Sequence, residues 1–421
     1  MKVILVNKDF SGGGAASACR RLFFGLSKRK ELNVKLLVQN YNSSNENIIS
    51  IFKSFGKYRA LCNLIIEKIH FLFFEASSKV RFAFSSGING SSIVNIKEIY
   101  DADIIHIHWF NQGFLSLKSF EKILKLNKPV IWTMHDMWPF TGGCHHSFGC
   151  NNYWENCGNC KYLKRPSASD LSFRILKKKK SFFNHSNLHF VAVSDWHRNK
   201  FLRSSLGKNF TCDTIYNPLD TNLFIPKDKK KSREIWNLPQ NKILVLFAAN
   251  RIDDPVKGFN YLLKALKVII DTNQQSNIEL VLLGRLKYEF SSPVSFHALG
   301  TIIDESVLPS LYSAVDLTIS TSEFETFGQV LTESMACETP VVAFNYSGPA
   351  EIIEHKINGY LAEYLNINDL VSGILWCLNE ASLPELKSNS RKRIVEHFSE
   401  EIISNQYVKL YKKLLNKETE I

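Results

Sequence analysis

Two basic residues in the second half of the chain have the types and spacing of a phosphate site. Arg251 and Lys257 lie six positions apart in a loop that follows the apolar run 243–248. An arginine binds phosphate oxygens with two parallel N–H donors, and a lysine adds a point charge. Near the N-terminus, Gly13 and Gly14 belong to a turn where bare backbone N–H groups can approach a phosphate. A plain tight turn explains these glycines equally well. Together with the two cations they predict a diphosphate site.

Two carboxylates lie around a predicted helix start further along the chain. Glu325 precedes Phe327 and Gly328, where the helix is predicted to begin, and Glu333 follows about two turns later. The N–H groups and partial positive charge of a helix start favour an anion. Carboxylates accept the hydrogen bonds that sugar hydroxyls donate. The alternative is a solvated helix with two surface acids, and the basic loop elsewhere in the chain favours the sugar-binding hypothesis.

Polar side chains end two predicted strands of the first half. His106 and His108 end one apolar run, and His135 and Asp136 end the next. In open α/β sheets, groups just beyond the carboxyl ends of the strands line the ligand crevice. We therefore predict that these side chains lie at the site. A structural role is the alternative for any single histidine.

A polar segment after these strands contains a cluster of cysteines, which are Cys144, Cys150, Cys157 and Cys160. The final C-x-x-C spacing suits zinc, whereas the earlier spacing matches no standard zinc finger. A structural zinc site is one prediction. Reduced packing cysteines and a labile disulfide are the alternatives.

The elements that must position these residues alternate between strand and helix in both halves. Continuous apolar runs such as 3–6 and 243–248 are typical of parallel strands buried on both faces, and helical segments follow them. Two such series predict an α/β protein with two doubly wound domains and a cleft between them. A break and a lysine-rich stretch after Asn217 predict a boundary between domains 1–217 and 218–398.

Length, charge and composition narrow the class of protein. The 421 residues are 45% hydrophobic and 22% charged, as expected of a globular protein with two or three domains. The net charge of +12 favours phosphorylated substrates or anionic lipid, and no nucleic-acid-binding motif accompanies it. No signal-peptide core and no membrane-spanning run is evident, which predicts a cytoplasmic protein with reduced cysteines.

The aromatic and basic segment 56–84 contains a helical stripe of apolar side chains. Amphipathic helices usually pack inward, so we predict that the stripe joins the core. The surrounding lysine and arginine residues leave a second hypothesis open, a peripheral contact with the anionic inner face of the plasma membrane. The stripe consists of Tyr58, Leu61, Cys62, Ile65, Ile66, Ile69, Leu72 and Phe73.

These motifs resemble those of the retaining GT-B glycosyltransferases, specifically glycosyltransferase family four. The second half has R-x-x-x-x-x-K-G from Arg251 to Gly258 and E-x-F-G-x-x-x-x-E from Glu325 to Glu333, after the N-terminal glycine turn. The resemblance covers nearly the whole chain. It implies two Rossmann-like domains facing each other across a cleft, with 399–421 crossing back to the first domain.

A tryptophan-rich segment suggests a subgroup within that family. W-T-x-H-D-x-W-P-x-T-G-x-C, from Trp132 to Cys144, is similar to a subgroup acting in colanic acid and other bacterial surface polysaccharides. The resemblance implies a retaining hexosyltransferase (EC 2.4) that moves a sugar from a nucleotide-diphosphate sugar to a glycan or lipid-linked acceptor. Exopolysaccharide, capsule or lipopolysaccharide would be the product. No catalytic metal or cofactor is implied, and a zinc ion at the cysteines would be structural.

The family pattern also implies a role for each matching residue of the second half. Arg251 and Lys257 would bind the donor diphosphate. Glu325 would hold a donor-sugar hydroxyl, and Phe327-Gly328 would place backbone N–H groups beside it. Glu333 would accept hydrogen bonds from the ribose hydroxyls.

In the first half, the family pattern implies that Gly13 and Gly14 let the acceptor-side loop approach the donor diphosphate. His135 would lie near the donor sugar and shape the site. The remaining polar candidates of this half are assigned to the acceptor side, and they are His106, His108 and Asp136.

One position departs from the family pattern. Glu338 follows Met335-Ala336-Cys337, where the family commonly has glycine. Glycine suits a left-handed helix end, so glutamate is expected to destabilise that conformation.

Two rival functions stay open at the level of sequence. Paired acids also serve glycoside hydrolases, but a hydrolase would not need the basic loop. A non-enzymatic, zinc-dependent binding module would use the cysteines and the basic surface instead.

Overall fold

The structure is a computed structural model. It describes residues 1–41, 44–52, 56–287, 290–379 and 383–418. The chain divides into two compact units, which we call unit 1 (Met1–Tyr216 with Ser404–Ile421) and unit 2 (Asn217–Ile403). The end of the predicted crossing segment, 419–421, lies outside the described residues.

Unit 1 is built on a parallel sheet whose strands are mostly connected by helices. Its described strands are β1 (Lys2–Val6), β2 (Asn33–Val38), β3 (Ile48–Ser50), β4 (Ile104–Ile107), β5 (Val130–Met134), β6 (Leu188–Ala192) and β7 (Cys212–Thr214). Its described helices before the domain boundary are α1 (Gly14–Ser27), α2 (Gly56–Leu72), α3 (Lys97–Asp101), α4 (Leu117–Leu124), α5 (Leu171–Phe182) and α6 (Asp195–Arg203).

Unit 2 repeats this architecture with a smaller sheet. The described helices are α7 (Lys229–Ile235), α8 (Phe259–Asp271), α9 (Leu308–Ala314), α10 (Gln329–Ala336), α11 (Pro349–Ile352), α12 (Ile367–Cys377), α13 (Leu383–His397) and α14 (Glu400–Glu418), the last of which continues into unit 1. The described strands are β8 (Ile243–Arg251), β9 (Ile278–Arg285), β10 (Phe296–Gly300), β11 (Leu317–Ser320), β12 (Val341–Phe344) and β13 (Tyr360–Ala362).

Strand order shows that both sheets are doubly wound. The order is β3-β2-β1-β4-β5-β6-β7 in unit 1 and β10-β9-β8-β11-β12-β13 in unit 2, with the paired strands parallel. The order therefore reverses between β1 and β4 and again between β8 and β11. Ligands of such sheets bind beyond the carboxyl ends of the strands at these reversals. The predicted fold class of two Rossmann-like domains is confirmed.

The central strands are continuous apolar runs because helices cover both faces of each sheet. The run Val3–Val6 of β1 and the whole of β5 are buried, as are Leu244–Phe247 of β8. In unit 2 the core cluster joins α8 and α12 to the sheet through side chains such as Leu262 and Ile374. Burying such side chains supplies most of the favourable free energy of folding.

The apolar stripe of α2 is not part of the core, so the prediction that it packs inward is wrong. Its large apolar side chains are 43–72% exposed, and Phe73, just beyond the helix, is 75% exposed. Helical periodicity shows that side chains share a face, but it does not say what that face meets. Within the described residues, none of the helices is both long and apolar enough to span a bilayer.

Helix α10 ends in a left-handed residue, as the family pattern implied. Glu338 has φ 60, and its N–H donates to the Met335 carbonyl at 3.0 Å. The Thr339 N–H donates to the Ser334 carbonyl at 3.1 Å. These two bonds form a Schellman motif, in which the left-handed position is usually glycine. A glutamate in this position has its Cβ too close to the following carbonyl.

We expect Glu338→Gly to stabilise unit 2 by about 1 kcal/mol, because glycine adopts φ near 60 without this steric cost. Urea unfolding of the two proteins measures the difference. Lys392→Gly is the matched control, since Lys392 is exposed inside α13. That change should destabilise the protein by about the same amount. A loss of stability in Glu338→Gly would show that the glutamate side chain makes a stabilising contact here.

Candidate functional site

Two loops of unit 2, one holding Lys257 and the other holding Glu325, lie side by side where the strand order of its sheet reverses. Strands β8 and β11 are neighbours, and the loops that hold Lys257 and Glu325 follow their carboxyl ends. The Glu323 N–H donates to the Val256 carbonyl at 2.8 Å, which ties one loop to the other. This arrangement joins groups 68 residues apart in sequence.

Gly258 allows the two loops to approach this closely. Its φ is 68, and a Cβ at this position would lie 1.9 Å from the Thr321 carbonyl oxygen. The Thr321 hydroxyl donates to the Gly258 carbonyl at 2.8 Å. A side chain at position 258 would therefore force the loops apart and displace Lys257.

Lys257 and Glu325 form an ion pair. The distance from Nζ to Oε2 is 2.6 Å, and the side chains are 31% and 22% exposed. Burial lowers the pKa of Lys257, but the Glu325 carboxylate outweighs this effect, so the pKa is raised above its ordinary value. Lys257 is therefore an ammonium at neutral pH, held against a carboxylate that can also accept from a hydroxyl.

The backbone around Glu325 places this pair beside the start of α10. The Gly348 N–H donates to the Glu325 carbonyl at 3.0 Å, and the Ser347 hydroxyl accepts from the Glu325 N–H at 3.3 Å. Gly328 precedes the helix with φ 117 and, as a glycine, has no side chain of its own to cap the helix start. Ser347 and Gly348 were not among the predicted site residues, although a serine-glycine pair before a proline is a turn signal.

Arg251 was predicted to lie in the loop after β8, but it is the last residue of that strand. The strand continues past an irregularity between Ala248 and Arg251, so the guanidinium projects from the strand end. Its side chain is 43% exposed, and it donates to the Asp253 carboxylate at 3.2 and 3.3 Å. Arg251, at the carboxyl end of β8, and Lys257, in the turn that follows, therefore lie at the same end of the sheet.

Glu333 is buried inside unit 2. It lies on α10, 7% exposed, and accepts from the Tyr312 hydroxyl at 2.5 Å. Tyr312 was not predicted as a site residue, because no sequence motif links it to Glu333, which lies 21 positions away. Its hydroxyl fixes the orientation of the Glu333 carboxylate.

The glycine turn of unit 1 leads directly into α1. Gly13 precedes the helix with φ 135, and Gly14 is its first residue. A Cβ at Gly13 would meet no atom within 4 Å. The turn is therefore open on that side, at the carboxyl end of β1 where the order of the sheet reverses.

His106 lies within β4 and not beyond its end. Its side chain is fully buried, with Nδ1 2.7 Å from the Tyr411 hydroxyl and Nε2 2.7 Å from the Thr133 hydroxyl. Both ring nitrogens are thus engaged inside unit 1. We correct its assignment from an acceptor-side residue to one that links α14 to the sheet.

His108 and His135 form a hydrogen-bonded pair at the ends of β4 and β5. Nδ1 of His108 lies 2.9 Å from Nε2 of His135, and the rings are stacked. Burial lowers the pKa of His135 to about 4 and that of His108 well below its ordinary value. Both imidazoles are neutral at pH 7, and His135 is the more accessible of the two.

Asp136 supports neighbouring side chains within unit 1. It accepts from Trp109 Nε1 at 2.8 Å, from the Trp138 N–H at 2.9 Å and from His145 Nδ1 at 2.7 Å. Burial raises its pKa, but His145 and these donors outweigh burial and hold the pKa below its ordinary value. Asp136 is therefore a largely buried carboxylate that fixes the Trp109 and His145 rings, and its place on the acceptor side stays a prediction.

The four clustered cysteines of unit 1, Cys144, Cys150, Cys157 and Cys160, lie near one another. Burial raises the pKa of Cys144, and the thiols of Cys157, Cys160 and Cys150 add to the increase. None is in a disulfide. Within the part of the chain that the structure describes, no three such side chains are arranged to hold a metal. Four cysteines are one of the ligand sets that structural zinc sites use, and zinc stays a prediction here.

If the cysteines bind zinc, the purified protein should contain about one zinc ion per chain and lose stability when a chelator removes it. Metal analysis and thermal unfolding with and without chelator measure both effects. Cys212→Ser is the control, because Cys212 is a buried thiol outside the cluster. Full activity and unchanged stability in a metal-free preparation would contradict the prediction.

A solved protein structure and two family models match this chain. HepE of Anabaena, solved in complex with UDP-glucose, is similar to this chain with a TM-score of 0.66 and 17% identity, covering 98% of this chain and 100% of HepE. The likeness at this identity concerns the fold, which is that of the GT-B glycosyltransferases. The model of Glycosyltransferase Family 4 matches residues 12–223, and that of Glycosyl transferases group 1 matches residues 228–396. The chain belongs to Glycosyltransferase Family 4.

Two relatives indicate how far the likeness extends. The putative colanic acid biosynthesis glycosyl transferase WcaC of Escherichia coli is 25% identical over 74% of this chain and 76% of its own length. An uncharacterized glycosyltransferase of Methanocaldococcus jannaschii is 30% identical, but over only 37% of this chain and 42% of the relative. The chain thus matches less than half of that second relative.

Proposed function

We propose that this protein is a retaining glycosyltransferase that moves a sugar from a nucleotide-diphosphate sugar to a glycan or lipid-linked oligosaccharide. The Lys257–Glu325 ion pair at the β8–β11 reversal carries the proposal. It combines a charged ammonium for a diphosphate with a carboxylate for a sugar hydroxyl, beside the start of a helix. A glycoside hydrolase has no use for this cationic group.

Within this reaction, the bond between the anomeric carbon and the diphosphate oxygen breaks, and its electron pair stays on the diphosphate. The acceptor oxygen bonds to the anomeric carbon, and the hydroxyl proton leaves with the diphosphate. Lys257 and Arg251 stabilise the charge that develops on the departing group. Retention of the anomeric configuration requires that the acceptor oxygen bond to the same face of the sugar from which the diphosphate departs.

The carboxylates have separate roles in the proposal. Glu325 accepts from a hydroxyl of the donor sugar while Lys257 turns to the phosphate. Glu333, oriented by Tyr312, accepts from the ribose hydroxyls. Phe327-Gly328 place the helix start beside the sugar phosphate.

Unit 1 contributes the remaining groups. The turn at Gly13 and Gly14 leaves room for the phosphates, and neutral His135 contacts the donor sugar, held in orientation by His108. We assign unit 1 to the acceptor and unit 2 to the donor. The similarity to WcaC supports an acceptor in bacterial surface polysaccharide, and the UDP-glucose complex of HepE supports a nucleotide-sugar donor.

A donor screen tests the proposal directly. The protein is incubated with nucleotide sugars, and release of nucleoside diphosphate is followed together with transfer of labelled sugar to glycan acceptors. Donor-dependent release is expected with one class of nucleotide sugar, and NMR of the product should show the anomeric configuration of the donor. Release of free sugar from a glycan without any nucleotide would support a hydrolase instead. Absence of both activities would favour a binding module.

A further inference from the structure

The exposed side of α2 is an apolar surface that no element covers among the residues the structure describes. The α2 face consists of Tyr58, Leu61, Ile65, Ile66, Ile69 and Leu72. At 100° per residue these positions fall within an arc of about 140° on the helix. Their exposed fractions reach 72% at Tyr58 and 53% at Ile69. Phe73 continues the surface beyond the helix end. Six large apolar side chains on one face are far more than the scattered exposed residues of an ordinary surface.

The charged side chains that segment 56–84 presents at its surface are all basic. Arg59 and Lys79 are exposed, and Lys68 and Arg81 are half-buried. Lys68 lies over the Phe82 ring at 4.7 Å from its centroid, and Phe82 itself is 59% exposed. Long basic side chains beside apolar and aromatic groups are typical of helices at a membrane surface.

The carboxylates of the same segment are directed into the protein. Segment 56–84 contains two acids, Glu67 and Glu75, which are 1% and 7% exposed. Glu67 accepts from the Gly87 N–H at 3.2 Å, and Glu75 pairs with Arg81 at 2.5 Å. The surface presented by the segment therefore has no exposed negative side chain.

We propose that the α2 face docks on the surface of an anionic phospholipid membrane, with α2 parallel to the bilayer plane. The helix has 17 residues and is about 25 Å long, so its six apolar side chains can enter the headgroup boundary together. Arg59, Lys68 and Lys79 then meet lipid phosphates and contribute to electrostatic binding, whereas the charge of Arg81 is compensated by Glu75.

Charge favours lipid over a second copy of this chain as the occupant. A two-fold contact through the α2 face would place the same surface against itself. The basic residues of one copy, such as Arg59 and Lys79, would then face the basic surface of the other copy, and segment 56–84 offers no exposed acid to pair with them. Anionic headgroups neutralise these cations, and the net charge of +12 adds a longer-range attraction.

Vesicle co-sedimentation tests the proposal without donor or acceptor, so its outcome does not depend on the proposed enzymatic function. Wild-type protein should bind vesicles containing phosphatidylglycerol at least about tenfold more tightly than pure phosphatidylcholine vesicles, and high salt should remove most of this difference. The triple variant Ile65→Gln, Ile66→Gln, Ile69→Gln should bind about a hundredfold more weakly than wild type.

Three isoleucines elsewhere provide a matched control. Ile235, Ile303 and Ile357 are 65%, 82% and 54% exposed and belong to unit 2. Their combined change to glutamine removes the same apolar groups and should leave vesicle binding unchanged. Thermal unfolding equal to that of wild type shows that both triple variants are folded.

A label at Cys62 gives a second, independent readout. This cysteine is exposed on the same side of α2. An environment-sensitive fluorophore attached there should shift its emission to the blue when phosphatidylglycerol vesicles are added, with labelled Cys62→Ser protein reporting the background. Equal binding by both triple variants, or no shift at Cys62, would overturn the proposal. So would a wild-type dimer that the α2 variant converts to a monomer while vesicle binding is absent.

Discussion

Replacing Lys257 with alanine should lower kcat/KM for the nucleotide sugar by about a thousandfold. The ammonium contacts a diphosphate that gains charge as the glycosidic bond breaks, and removal of one such charged group costs on this scale. Turnover and donor affinity should both fall, because the diphosphate is charged in the ground state as well. Steady-state kinetics and donor titration measure the two effects separately.

The alanine variant also leaves Glu325 without its ion-pair partner, so stability must be followed alongside activity. Lys257→Arg keeps a positive charge and should restore part of the activity. Lys267→Ala is the matched control, since Lys267 forms an exposed pair with Asp271 in the same unit, and such pairs contribute little. Near-normal turnover in Lys257→Ala would mean that this lysine does not contact the diphosphate.

Glu325→Gln should lower turnover by about a hundredfold, whereas Glu333→Gln should mainly weaken donor binding. Glutamine keeps the size of the side chain but removes the charge and replaces one acceptor oxygen with a donor. The hydroxyl contact of Glu325 strengthens as the transfer develops, so its loss affects kcat. The ribose does not change during the reaction, so loss of its contact affects KM.

The Lys257–Glu325 ion pair gives a second way to distinguish the Glu325→Gln variant from the Glu333→Gln variant. Glu325→Gln releases Lys257 for the phosphates, so donor affinity should be kept or increased while turnover falls. In Glu333→Gln, the amide oxygen can still accept from Tyr312, which preserves the local fold. Equal and modest effects from the two glutamine variants would show that neither carboxylate touches the reacting sugar.

The sequence predicted the fold well because buried strands of doubly wound sheets have a distinctive pattern. Runs such as 3–6 and 243–248 are apolar on both faces, and only a sheet covered on both sides buries them. The face of α2 was misassigned because a helical stripe looks the same whether it meets a core or a lipid surface. Exposure depends on the neighbours of the helix, which its own residues do not specify.

The candidate site was predicted in its residue types and only partly in its geometry. Lys257 and Glu325 were each identified, but their pairing depends on the order of β8 and β11 in the sheet. His106 was misplaced, since it follows the pattern of a strand-end ligand, yet its ring is hydrogen-bonded in the interior of unit 1. A sequence motif gives the position of a polar residue along a strand, but it does not say which groups its side chain will bond to in the folded protein.

Helix α14 has a consequence for the order in which the protein assembles during synthesis. Tyr407 and Tyr411 reach Thr133 and His106 in the centre of unit 1, yet they are made after the whole of unit 2. As the nascent chain leaves the ribosome, the sheet of unit 1 lacks two hydroxyl partners for its buried polar groups. The first unit to be translated is therefore the last to complete its core, and unit 2 can fold while unit 1 awaits its final helix.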